Sequence, residues 1–493
     1  MSFDISQYKE ILFYKKGKAC IKYLPLLFFT LIYSSLPAQQ SNTLFNLHSI
    51  AQSNQLNPAV QPACKIYVGI PFLNTIHLGY SNSSFSYNDL ANDVNFKFDE
   101  VYKSLKRMNT ISVELETYIL SAGYKLNNNY FSFSIVDRAN SYNSYSRKLA
   151  GVMLYGNEPF IGSNLRINNS RANLMYYREY AAGWAFDWDR FSSFGIRAKL
   201  LFGKENLNTG SSRIQLGTDT ETFDLSVKGN VRFNSSLPIL LTQNSSGAIT
   251  QIDIVDFRYL TLLLNPRNAG IAADFGVINT FSKDLTLSAS LLDLGMIVWT
   301  DNAINVKAQV DFLYKGVQEG TDFSVASYFR DLSDSLVNDI IYDVTRKTYI
   351  SPLPSQLFLA ALYKWKEDID LGLVVRNQLV NRRIRSSITA SLNYSFMQSI
   401  QTSISWSYLN NSVLNIGGGL AYTGQGFQLY AVSDNIAGLI RPLDTRSISL
   451  RFGMNLMLGC PRNFKKGKDA KYIMIPCPPK QRTPVLKSKR KNF

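Results

Sequence analysis

Residues 447–459 read Ser-Ile-Ser-Leu-Arg-Phe-Gly-Met-Asn-Leu-Met-Leu-Gly. One alternate set, Ile448, Leu450, Phe452, Met454, Leu456 and Leu458, is apolar throughout. The other is mostly small or polar: Ser447, Ser449, Arg451, Gly453 and Asn455, with Met457 the exception. Successive side chains of a β-strand point to opposite faces, so the stretch predicts a strand with one oily and one wet face. Soluble strands average about 5–6 residues, whereas a tilted strand needs about 9–11 to cross a membrane. This length suits the second case, with apolar side chains against lipid and polar ones lining a lumen.

The pattern recurs upstream. Residues 388–396 and 400–408 alternate in the same way, with Ser, Thr, Asn and Gln on the polar side. Residues 174–188 set Tyr176, Tyr180, Trp184, Phe186 and Trp188 on one face, interrupted by Arg178. Candidate strands pair through short turns: 271–282 with 285–299, 357–365 with 369–379, 385–397 with 400–408, and 414–422 with 427–433. Long polar links fall near 139–173, 234–256 and 315–354. The expected fold is all-β, a transmembrane antiparallel β-barrel of roughly 14 strands, spanning 63–459 of the 493 residues. Trp188, Trp299, Trp365 and Tyr408 lie near strand ends, where such barrels carry aromatic girdles. Residues 322–344 and 98–105 space their apolar side chains for helices in loops or in the lumen. The body of the chain has no apolar run of about 18 residues, which excludes helical spans, and no repeat of about 40 residues that would mark a propeller.

The formal charge of +16 belongs to the ends. Residues 460–493 hold eleven Lys and Arg against Asp469, net +10, and residues 1–38 hold five Lys against two acids, net +3. The body keeps +3, so no nucleic-acid partner is expected. Lys15, Lys16, Lys18 and Lys22 precede the apolar stretch 23–36 and then Leu36-Pro37-Ala38. That is the pattern of a secretory signal peptide, residues 1–38, cleaved after Ala38. Cys20 is lost with it, leaving Cys64, Cys460 and Cys477. In an oxidising periplasm Cys460 and Cys477 either form a disulfide or stay free thiols.

Residues 460–493 intersperse five prolines among the basic residues and read as a periplasmic tail that does not fold alone. Its candidate partner-binding residues are Lys465, Lys466, Lys468, Lys471, Lys487, Lys489, Arg490 and Lys491, with Ile473 and Ile475 as an apolar anchor. Other envelope proteins or peptidoglycan would be the partners; a solvated tail without a partner is the alternative.

Chemistry-bearing patterns are scarce. His48 and His77 are the two histidines, and no phosphate-binding loop or metal-spaced cluster accompanies them, so neither an enzyme nor a cofactor is expected. Asp-apolar-Gly tripeptides begin at Asp274, Asp293 and Asp370. Alternation puts each Asp on the lumen face, for pairing with an Arg such as Arg376 or Arg451, and each Gly where a plug can approach.

The stretches 52–59, 66–71, 285–295 and 451–460 resemble, in that order, an uncharacterised family of Bacteroidota outer-membrane barrels, over nearly all of the mature chain. Asn57-Pro58-Ala59 before the first strand is similar, more distantly, to the FadL group and to the PorV-type barrels of type IX secretion. That resemblance implies that residues 39–62 fold into the barrel as a hatch. A plain turn before strand one is the other reading of the same three residues. The basic tail favours a structural or partner-binding role in the cell envelope, and the PorV-type resemblance implies a link to type IX secretion. A FadL-like channel for small or hydrophobic molecules is the alternative. Outer-membrane lipid is a partner under either reading.

Overall fold

The computed structural model describes residues 42–460, apart from 93–94, 157, 211, 223, 244–248, 255–265, 315–339, 381–382, 397–398, 410–411 and 425. The signal segment, residues 39–41 and the tail from 461 onward therefore lie outside the described residues.

Fourteen strands form the barrel: β1 in two segments (Ile66–Gly69 and Ile76–Asn82), β2 (Met108–Leu126), β3 (Asn129–Ser146), β4 (Asn173–Asp187), β5 (Ser192–Thr209), β6 (Asn268–Thr280) and β7 (Leu285–Trp299). They continue with β8 in two segments (Tyr349–Pro352 and Gln356–Lys366), β9 (Ile369–Val380), β10 (Arg383–Phe396), β11 (Ile400–Leu409), β12 (Ser412–Thr423), β13 (Phe427–Ser433) and β14 (Ser447–Leu458). Each pairs antiparallel with the next, and β14 pairs back onto β1, with Ile66 opposite Leu458 and Ile76 opposite Phe452. Closure satisfies every strand edge, which a sheet in lipid requires.

The alternation read from the sequence sorts the side chains. On β14, Ser447, Ser449, Arg451 and Asn455 are buried inward, while Phe452, Met454, Leu456 and Leu458 are exposed outward. On β11, Ile404, Trp406 and Tyr408 face out. Strands that mostly run 10–19 residues, with an apolar exterior and a Ser/Asn/Thr interior, make a transmembrane barrel. No described helix is long and apolar enough to cross a membrane.

One end carries short turns. Asn127 takes φ 54° in the link from β2 to β3, a left-handed conformation that Asn tolerates. In the turn after β4, Asp189 accepts the backbone N–H groups of Phe191 and Ser192, each at 2.7 Å. The first of these bonds does most to hold its carboxyl below the usual range. An aromatic girdle rings this end. Trp184 stacks on Phe186 (4.8 Å), Trp188 meets Phe194 edge-on (6.4 Å), and the Lys366 ammonium lies 5.0 Å over Trp365.

The other end carries the long links. There the strands Asn164–Asn168, Arg213–Thr218, Leu225–Ser235, Ile304–Tyr314 and Ile340–Thr345 form a sheet that continues from the end of β5. Its apolar face covers Leu165, Ile167 and Leu216, packed with Leu149 and Val152 of the helix Arg147–Tyr155.

Three expectations need correction. Trp299 is not in a girdle: it points inward, fully buried, stacked on Tyr349 at 6.3 Å. The helix expected over 322–344 lies mostly outside the described residues, but its last turn is strand, because Ile340–Thr345 pairs with residues 305–310. Cys460 bonds to Cys64, not to Cys477, because closure of β14 on β1 brings the two ends of the barrel together. The helix expected near 98–105 is present as Phe98–Ser104.

Candidate functional site

The lumen is filled. Residues 42–62 lie inside the wall, and the helix Asn42–Phe45 is buried along its whole length. Asn42 donates to Ser387 (2.9 Å) and Thr389 (3.0 Å) of β10, toward the long-loop end. Thr43 donates both its N–H and its hydroxyl to Asp434. Leu44, Phe45, Leu47 and Ile50 then form an apolar cluster with Leu292, Phe358 and Val374, with Phe45 stacked on Phe358 at 4.9 Å. Lower down, Ser49 bonds to Gln401, and Gln52 bridges Asn455 (2.7 Å) and the Asn74 carbonyl (3.1 Å). Four fully buried large apolar side chains contribute about 1.5–3 kcal/mol each, on the order of 6–12 kcal/mol before the entropy of ordering the segment.

Asn57, Pro58 and Ala59 make a turn in which the Asn57 carboxamide accepts the Ala59 N–H at 3.0 Å. The turn rests on the inner wall. Gly195 of β5 and Gly276 of β6 are direct cross-strand partners, and a methyl on Gly195 would overlap the Pro58 carbonyl while one on Gly276 would overlap the Asn57 side chain. Gly372 admits Asn46 in the same way, whereas Gly295 is crowded by Ala272 of the wall itself. So two of the three Asp-apolar-Gly glycines face the inserted segment, and the third pairs in register with Ala272, next to the β6–β7 bulge at Asp274.

Above this turn runs a belt of buried charges. Arg451 (β14) donates to Glu116 (β2) at 3.0 Å, and Glu116 also meets Arg138 (β3) at 2.5 Å. Arg138 meets Glu179 (β4) at 3.0 Å, and Lys199 (β5) lies 3.6 Å from Glu179, 2.9 Å from Asp274 (β6) and 2.6 Å from Asp293 (β7). Gln356 (β8) carries the chain of contacts from Asp293 (3.1 Å) to Arg376 (β9, 2.7 Å). Arg197 locks the belt to the inserted segment through the Asn54 and Gln55 carbonyls (2.7 and 3.2 Å) and Asp274 (3.1 Å). Asp274 and Asp293 do face the lumen, but their partners are Arg197 and Lys199 rather than Arg376 or Arg451. Register across β5–β7, invisible in the local sequence, chooses them. The signal that was present is spacing: Glu114-x-Glu116 and Arg197-x-Lys199 place charged pairs on one strand face.

Between belt and upper wall lies a cavity of about 40 Å³ lined by Glu114, Tyr142, Arg376 and Gln378. That is room for a few waters, far below the roughly 300–1,000 Å³ of ligand pockets. His77 lies 3.9 Å from Glu116 inside the wall, and His48 belongs to the inserted segment. Neither ring bonds to a serine hydroxyl among the described residues. No group of three or more metal-ligating side chains occurs among them. The tail candidates Lys465, Lys466, Lys468, Lys471, Ile473, Ile475, Lys487, Lys489, Arg490 and Lys491 lie outside the described residues.

Residues 58–434 match the profile of a family of unknown function, DUF5723. The chain belongs to that family. No curated protein matches it in sequence. Among solved structures it is similar to the toluene transporter TodX of P. putida, at 8% identity and TM-score 0.34, over 83% of this chain and 92% of that one. It is also similar to a Pseudomonas aeruginosa FadL homologue, at 9% identity and TM-score 0.40, over 87% of this chain and 100% of the other. The translocator domain of the autotransporter NalP from Neisseria meningitidis follows at 8% identity and TM-score 0.29, over 85% and 100%. These likenesses are loose, and the closed register and apolar exterior of this DUF5723 member define its fold independently of them.

Proposed function

We propose that this outer-membrane β-barrel has a structural or partner-binding role in the cell envelope rather than a transport role. The observation that carries the reading is the occupied lumen: among the described residues, 42–62 lie inside the wall, and the cavity beside the charge belt measures about 40 Å³. Short turns of such barrels face the periplasm and long loops the outside. By that rule Cys64, Cys460 and the start of the tail belong to the periplasm, where basic side chains meet envelope proteins or peptidoglycan. Nothing among the described residues adds to a link with type IX secretion.

The alternative, a FadL-like channel for small or hydrophobic molecules, draws on one feature: N-terminal to Cys64 the inserted segment is held without a covalent bond. Reconstitution of the full mature chain in planar bilayers separates the two. A barrel with this lumen should show no steady single-channel conductance and no uptake of an apolar dye into liposomes. Sustained conductance or dye uptake would favour the channel and remove the structural reading.

A further inference from the structure

The sheet at the long-loop end has a second face, set by register alone. Arg166 pairs with Gln215, Gln215 with Lys228, Lys228 with Asp311, and Arg213 with Asn168 and Asn230. Arg232 pairs with Lys307, and Lys307 with Asp343. Directly paired residues share a face, so five cations and two acids stand on one side, opposite Leu165, Leu216 and Val227. Lys228–Asp311 (3.2 Å) and Lys307–Asp343 (3.0 Å) are ion pairs with side chains more than half exposed. Arg166, Arg213 and Arg232 are exposed and have no acidic partner among the described residues. Arg232 stands directly across from Lys307, and like charges in that position destabilise a sheet. Amides such as Asn230 and Gln309 separate the cations.

Height limits the occupant. β5 needs about 9–11 residues from Ser192 to cross the hydrocarbon, ending near residue 203. Arg232 lies beside Gly210, whose N–H bonds to its carbonyl at 2.7 Å. The face therefore begins on the order of 15–20 Å beyond the hydrocarbon edge, past the level of lipid phosphates.

We propose that this face binds anionic polysaccharide, a sugar polymer bearing carboxylates or phosphates, outside the cell. The three arginines without acidic partners supply charge and fork-shaped donors, and the amides between them suit sugar hydroxyls. The proposal rests on the orientation given above.

The test uses cells displaying the full chain, with a peptide tag in the 219–224 turn and fluorescent polygalacturonate as the probe. Wild-type cells should capture the probe in a salt-sensitive way and capture neutral dextran at least tenfold less. Replacing all three cations (Arg166→Gln, Arg213→Gln, Arg232→Gln) should lower capture about tenfold. Removing the two acids (Asp311→Asn with Asp343→Asn) should raise it severalfold, an expectation that holds even if the triple variant fails to reach the surface. A readable tag with capture unchanged in both variants, or equal capture of dextran, overturns the proposal alone. Binding of the purified protein to phosphatidylglycerol vesicles that falls with the triple variant in step with probe capture overturns it in favour of lipid phosphate. A tag readable only after lysis overturns the orientation, and this proposal with it.

Discussion

Lys199 is the residue on which most opposing charge converges: Glu179, Asp274 and Asp293 all lie within 3.6 Å of its ammonium, and it is 4% exposed. Removing one member of a buried ion network strands the others, at a cost of about 3–5 kcal/mol. Lys199→Met should therefore lower the temperature at which the barrel loses its heat-modifiable gel mobility, and adding Asp274→Asn should recover part of the loss. On the outer face the opposite rule holds. Phe452→Arg should cost about 2–4 kcal/mol if the position lies near the midplane, read from urea unfolding in lipid vesicles. An unchanged midpoint would reverse the facing of β14. The facing of Phe452 was legible in the sequence because it depends on alternation within one strand. The partners of Lys199 were not, because they sit on three other strands whose register is set by bulges and ring closure.

At the scale of elements, the seat formed by Gly195 and Gly276 makes a further prediction. Val at either position would occupy the space of the Asn57-Pro58-Ala59 turn. Gly195→Val and Gly276→Val should leave the β-strand content intact but make residues 42–62 accessible to protease in folded protein. They should also raise conductance above the wild-type baseline; protection equal to wild type would show that the turn does not need this seat. Long barrel strands were legible because period two persists over nine or more residues, as in 388–396 and 447–459. Residues 42–62 have no period, since their conformation is imposed by the wall around them. Two strands of the far-end sheet were missed for a related reason: Asn164–Asn168 and Ile340–Thr345 are five and six residues long, too short for alternation to separate strand from loop or helix.

At the scale of the molecule, the tail and the barrel should be separable. The last strand ends at Leu458 and the disulfide at Cys460. Deleting 461–493 should leave the heat-modifiable barrel unchanged while weakening salt-sensitive co-purification of envelope proteins. Identical partners with identical salt dependence would leave the tail without a binding role.

The closing bond also records where the ring is joined. Cys64 and Cys460 are 396 residues apart and meet only across the seam where β14 joins β1, and the segment that fills the lumen lies on the N-terminal side of that seam. The ring is thus wrapped around the segment that precedes its own first strand. The oxidised pair then serves as a covalent seal on the finished circle: a chain in which Cys64 and Cys460 are joined is one whose two ends have met.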